Sequence, residues 1–186
     1  MFKFIAALAT GLALTIGAYA QPSGEQRQVP LGFCYDTSLS SAVSLTSFTC
    51  ASFTGTGNGT TLTVTNVTGQ LQVGQTISGS GVPSGTTITA GPASGGAGTY
   101  TTSLATTSNG ASLTSSGAPQ NATYAVICAY AQNINYRDDG AAPTATTATG
   151  GQTIPSGQCI SYNGTFSALQ FINQAGGGEV GISFYK

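Results

Sequence analysis

The chain has 186 residues but only four basic and five acidic ones, with no His and no Trp, so charged residues make up 5% of it against roughly 25% in an average soluble domain. Four basic residues cannot neutralise a run of phosphates, which excludes nucleic acid as a partner. An apolar fraction of 40% excludes the charge-rich, apolar-poor composition of a disordered chain. The length allows one or two domains. Abundant Thr, Ser, Val and Gly with few Leu, Lys and Glu favour strands over helices, so the expected fold class is all-β.

Met1–Ala20 has the plan of a secretory signal peptide. Lys3 is the positive start, Phe4–Gly17 is uncharged and apolar, and Ala18-Tyr19-Ala20 is a small-x-small site before Gln21. The apolar run is shorter than the about 20 residues that a bilayer span needs. It implies transient membrane contact and export to the periplasm or medium, with a retained hydrophobic N-terminal segment as the alternative.

Gln21–Pro30 reads as a flexible lead-in, followed by strand candidates at Leu31–Tyr35 and Ser40–Leu45. From Ser52 to Ser116 no residue is charged. Leu62–Val67 alternates apolar and polar residues, the mark of a half-buried strand, and Leu71–Ile77, Thr86–Ala90 and Thr99–Ser103 continue the pattern. Gly79–Gly85 and Gly91–Gly98 between them carry turn chemistry, and short strands at such spacing imply a small sandwich or meander. Ser108–Gln120 reads as a polar linker.

Tyr124–Gly140 starts as an apolar run and ends in three consecutive charges, Arg137, Asp138 and Asp139. In an uninterrupted strand the six-residue spacing of Tyr124, Tyr130 and Tyr136 would put all three on one face. Arg137-Asp138-Asp139-Gly140 then closes the strand as a turn, Gly140 supplying a positive φ and an Asp bonding its own backbone. A loop over Ala141–Gly151 follows. Gln158–Tyr162 is a strand candidate, and Phe166–Ile172 is a strand or a short helical turn. After the Gly176–Gly178 hinge, Val180, Ile182 and Phe184 give a terminal strand one core face.

Cys34, Cys50, Cys128 and Cys159 contain no C-x-x-C, and without His no mixed zinc site can be completed. An even count in an exported chain favours disulfides. Of three connectivities the local one, Cys34–Cys50 with Cys128–Cys159, is preferred; the plain alternative is that Cys128 is a small buried hydrophobe. Adjacent Asp138 and Asp139 point to opposite faces and cannot by themselves flank one scissile bond; a third carboxylate from Asp36 or Glu179 could rescue such a site, but nothing in the spacing argues for it. Five carboxylates in all are few for calcium. Serine has no His or Lys base to activate it, and Gly74–Gly85 lacks the Gly-Lys-Ser/Thr of a phosphate cradle. The residues therefore predict no catalytic site, no metal and no cofactor, with Arg137 pairing with a neighbouring carboxylate. Asn58, Asn66, Asn121 and Asn163 begin Asn-x-Thr strings that a Thr-rich composition produces by itself.

The segments Leu31–Cys34, Thr37–Ala42, Tyr124–Ile127 and Gln132–Ala145, together with Tyr162–Ile172 and Val180–Tyr185, resemble a family of small virion-associated proteins of tailed bacteriophages. The resemblance covers about half of the chain in two pieces, and its most specific part is the string R-D-D-G-x-x-P-T at Arg137–Thr144. It implies a β-sandwich or jelly-roll-like domain without enzymatic activity. Gly69–Thr89 with Gly98–Ser103 is similar to the Gly/Thr-rich β-modules of phage tail, fibre and capsid-surface proteins. Together these likenesses imply a β-sandwich domain in two halves, 21–51 and 117–186, around an inserted module with linkers at 52–116. The implied function is that of a non-catalytic virion structural protein, a capsid decoration or a head or tail appendage, whose partners are other virion proteins or its own copies in a homo-oligomer. The signal-like segment implies export instead. The matching second reading is an exported adhesive module that binds a host-surface glycan or another surface through exposed Tyr and the Thr/Asn-rich face.

Overall fold

Two hydrophobic cores divide the chain, and their boundary falls between neighbouring residues, Cys50 in the first and Ala51 in the second. The structure, a computed structural model, describes residues 28–146 and 150–186; the expected signal segment lies outside them. The first strands are β1 (Pro30–Asp36), β2 (Val43–Ser44) and the 21-residue β3 (Thr49–Gly69). Then come β4 (Thr76–Gly79), β5 (Ile88–Ala90), β6 (Gly98–Thr106) and β7 (Ala111–Ser116). The chain continues through β8 (Tyr124–Tyr130), β9 (Ile134–Arg137) and β10 (Gln152–Ile154). It finishes with β11 (Cys159–Tyr162), β12 (Gln170–Asn173) and β13 (Glu179–Tyr185). All strand pairings are antiparallel, and the fold is all-β and sandwich-like.

The first core lies between two sheets. One runs β11-β8-β13-β1 and continues into β3; the other runs β10-β9-β12-β2. Period-two alternation decides which side chains enter. Ala125, Ile127 and Ala129 of β8 and Val180, Ile182 and Phe184 of β13 point inward and are buried. Phe171 fills the opposite side, its ring 5.2 Å from Phe48 and 6.3 Å from Tyr136.

The second core fills a small barrel made by curling two long stretches of chain. β3 pairs first with β7 (Phe53 opposite Leu113) and then with β6 (Leu62 opposite Tyr100), one nearly continuous ladder. β4 adds to β7 and β5 to β6, and the barrel closes where Ile77 N donates to Thr86 O and Ile88 N to Gln75 O, both at 2.9 Å. Because β3 curls through the barrel, its end returns to its beginning. Gln70 N donates to Cys50 O at 3.4 Å, and Asn66 Nδ2 to Thr54 Oγ1 at 3.4 Å. Gly69 makes that return possible. Its φ is +87°, and a Cβ there would collide with the Cys50 carbonyl.

The chain leaves the sandwich through Cys50-Ala51 and comes back through Ser116-Gly117. Cys34 and Cys50 are disulfide-bonded at this neck, and Cys128 is bonded to Cys159 across β8 and β11. The Gly117 carbonyl packs 3.9 Å from the Cys34 sulfur and 3.4 Å from that of Cys50. Gln120 N donates to Val73 O at 2.8 Å, a second tie between sandwich and barrel.

Several expectations need correction. Tyr124, Tyr130 and Tyr136 do not share a face, because the strand is interrupted. At Ala131 the backbone turns to φ +63°, Gln132 N bonds Tyr130 O, and β9 crosses to the other sheet, where Tyr136 is buried. Ser108–Gln120 is not a linker, since it contains β7, which pairs on both sides; its polar Ser and Thr mask a strand whose one large inward residue is Leu113. Leu71–Gln75 is irregular, with only Thr76–Gly79 extended, and Ser40–Leu45 shrinks to Val43–Ser44 before a 3₁₀ turn. Both alternatives for Phe166–Ile172 occur in succession, a 3₁₀ turn at Phe166–Ala168 and then β12. Cys128 is not a buried hydrophobe, because β8 turns it toward the outer face.

The Cys34–Cys50 bridge closes a loop with a sequence separation of 16, for which the chain-entropy relation gives about 3 kcal/mol. Replacing both cysteines by Ser is expected to lower unfolding free energy by that amount, read as a shift of the denaturant midpoint.

Candidate functional site

The charged turn and the outer face of the β1–β13–β8 sheet are the places where chemistry or binding could reside, and they differ in kind. At the turn, β9 delivers Arg137 to the end of the second sheet. Its Nε donates to Asp139 Oδ1 at 3.0 Å, and its terminal nitrogen pairs with Asp139 Oδ2. The same Asp139 Oδ1 accepts from Ala141 N at 3.1 Å. Asp139 therefore serves both as the partner of Arg137 and as the residue that fixes the turn. Gly140 (φ +81°) donates its N–H to Ala168 O at 3.1 Å and accepts from Gln170 Nε2 at 2.6 Å, docking the turn on β12.

The electrostatics follow from these bonds. The hydrogen bond from Arg137, then the backbone N–H of Ala141, lowers the Asp139 carboxyl to about 2. The Arg137 guanidinium is pushed up by the same hydrogen bond. Burial, and after it the charge of Asp138, raises the Tyr136 and Tyr162 hydroxyls. Asp138 makes no hydrogen bond or ion pair among the described residues. Asp36 is engaged locally, accepting from Ser38 N at 2.6 Å, and Glu179 stands opposite Tyr130 on the other sheet. The structure does not gather these carboxylates, and no group of three His, Cys, Asp or Glu able to hold a metal occurs among the described residues.

Behind the turn lies a residue that sequence reading passed over. Asn135 is wholly buried, donating from Nδ2 to Thr144 O at 2.8 Å and accepting at Oδ1 from Thr153 Oγ1 and Gln174 Nε2, each at 2.7 Å. It ties β9, β10, the segment after β12 and the loop after the turn into one network. Pro143 of the same loop is buried. The R-D-D-G-x-x-P-T string thus has a structural account: an ion pair, a capped turn, a left-handed Gly, a buried Pro and a Thr carbonyl held by Asn135. The one available signal for Asn135 was its position between Ile134 and Tyr136 in a short apolar strand.

The outer sheet face has a different character. Phe33, Tyr35 and Tyr130 are exposed at 44%, 48% and 45%, and Tyr124 and Tyr185 stand beside them half-buried, their rings 5.8 Å apart. Phe33 and Tyr35, two residues apart on β1, lie nearly parallel with centroids 6.3 Å apart and planes 17° from one another. Where β1 leaves β3 a groove of about 440 Å³ opens between sandwich and barrel. Phe33, Tyr35 and Tyr185 line it with Thr49, Gln70 and Ser183. Only Tyr35–Thr49 registers β1 against β3, so on that edge the rest of β1 borders the groove, while its other edge pairs with β13.

Comparison with family models, curated proteins and solved structures finds no match to the chain.

The turn and the Asn135 network behind it set stability in three measurable ways. Asp139→Asn removes the Arg137 partner and should lower the thermal midpoint, whereas Asp138→Asn should leave it within error. Since the folded carboxyl of Asp139 sits at about 2, below an ordinary Asp value of about 3.9, its contribution is fully present above that value. It is lost as pH falls through about 2, so Asp139→Asn should flatten the acid limb of a stability–pH curve. Asn135→Leu orphans buried partners and should cost about 2–3 kcal/mol in chemical unfolding.

Proposed function

We propose that the protein is a non-catalytic structural component of a phage-type virion, a capsid decoration or a head or tail appendage, that works by protein–protein contacts. The observation that carries the reading is the inserted barrel. It is held to the sandwich at a disulfide-bonded neck and carries no charged residue over Ser52–Ser116. An uncharged module suits contact with neighbouring subunits, because little solvation of charge is lost when it is covered. The resemblance at Arg137–Thr144 and in the Gly/Thr-rich middle points the same way. Its partners are other virion proteins or further copies of itself, and its place is the virion.

The exposed rings of Phe33, Tyr35 and Tyr130 favour a second reading, an exported adhesive module for a glycan or another surface. The two separate experimentally. Mass spectrometry of purified particles should find the protein at a stoichiometric copy number. Intact mass from an extracellular or periplasmic fraction, with a start at Gln21 and no particle association, would overturn the virion reading in favour of export.

A further inference from the structure

The groove beside β1 has a composition more specific than that of a general contact surface. Four aromatic residues line it, the core residue Phe184 and the more exposed Phe33, Tyr35 and Tyr185, together with the hydroxyls of Thr49 and Ser183 and the amide of Gln70. Among the described residues no carboxylate, ammonium or guanidinium lines it. Two charged residues adjoin the lining in sequence, Asp36 after Tyr35 and Lys186 after Tyr185, and neither lines the groove; the Asp36 carboxylate accepts from Ser38 N at 2.6 Å. An occupant of this groove must therefore offer a flat apolar face to the rings and neutral hydrogen-bonding groups to the rim.

We infer that the groove binds a neutral saccharide. A pyranose ring meets both requirements, since its C–H face packs on an aromatic face while its hydroxyls lie around the edge and exchange hydrogen bonds with Ser, Thr and Gln. Tyr adds an amphipathic ring that binds at low entropic cost. The volume of about 440 Å³ falls at the small-ligand end of pocket sizes, roughly 300–1,000 Å³, which suits one or two sugar rings. Nucleotides also stack on such plates, but their phosphates call for basic side chains in the groove, and none lines it among the described residues. The site deepens the surface-contact reading without depending on where the protein resides.

Gly181 shapes the plate. It lies on β13 between Phe33 and Tyr130, and a Cβ there would stand 2.7 Å from the Phe33 ring and 3.0 Å from that of Tyr130. The absence of a side chain lets Phe33 lie across the sheet toward Tyr130, leaving its outer face open. Gly181 shows no positive φ, so Ala can occupy the position by lifting the rings without straining the backbone.

The test uses the full chain with neutral probes of defined chemistry: tetrasaccharides of glucose, of galactose and of N-acetylglucosamine, and one uronic-acid tetrasaccharide as charged control. At least one neutral probe should bind in calorimetric or NMR titration, with affinity in the range of about 10⁻³–10⁻⁵ M that small, weakly buried ligands reach. Phe33→Ala and Tyr35→Ala should each weaken binding by roughly tenfold or more, and Gly181→Ala should weaken it with the thermal midpoint nearly unchanged. Leu104→Ala, on the exposed surface of β6 in the barrel, should leave it unaltered. No binding of any neutral probe to folded protein overturns the inference, as does preference for the uronic-acid probe. Self-association that Phe33→Ala abolishes overturns it too, by assigning the face to a second copy. Particle association is measured separately, so a negative titration with the protein present in particles defeats the saccharide site alone.

Discussion

Both passages of the chain between its two cores run past the Cys34–Cys50 bridge, and the arrangement of everything beyond it depends on that crossing. β3 begins beside β1, carries Cys50 into the first core and Ala51 into the second, and then curls until Gly69 and Gln70 return to the Cys50 carbonyl. A covalent bond, a left-handed Gly and a backbone hydrogen bond thus meet within a few residues. The strand is long enough to pair with β7 and then with β6, and β4 and β5 on their far edges close the barrel. The groove lies at the same crossing, bounded by β1 on one side and by both ends of β3 on the other. Binding surface and mechanical joint share one set of residues.

Charge in this molecule is used for construction. Arg137 and Asp139 engage each other at the end of β9, and the carboxylate that pairs with the guanidinium also holds the Ala141 N–H. A short turn so fixed anchors a loop, and the loop in turn lets Asn135 satisfy its amide in the interior. The aromatic face is the opposite case, where apolar groups remain outside. Exposed rings are commonplace one at a time, but adjoining rings on neighbouring strands with a Gly cleared beneath them form a patch that invites a partner.

Much of the architecture was legible because period-two alternation is a local signal. Val180, Ile182 and Phe184 announce their core face in sequence, and Arg137–Gly140 announces a turn through residue chemistry alone. β7 was not legible, because Ser112, Thr114 and Ser115 resemble loop composition and the strand is made by partners on both sides. The interruption at Ala131 was also hidden, since Ala rarely adopts positive φ and tertiary packing imposed it here. Asn135 looked like one polar residue among many. Its importance comes from three segments, at Thr144, Thr153 and Gln174, that converge on it only in the folded chain.

By itself the sequence determined an all-β chain, the absence of charge across its middle, the turn at Arg137–Gly140 and the candidates for two disulfides, because each rests on composition or on neighbours a few residues apart. The tertiary structure decided which aromatics would be exposed, that β3 would close on itself, and that Phe33, Tyr35 and Tyr185 would border one groove with Gln70. Those outcomes depend on strand order and sheet curvature. Residues more than a hundred positions apart become neighbours only when hydrogen-bonded pairing places β1 beside β13 and the neck turns the barrel against them.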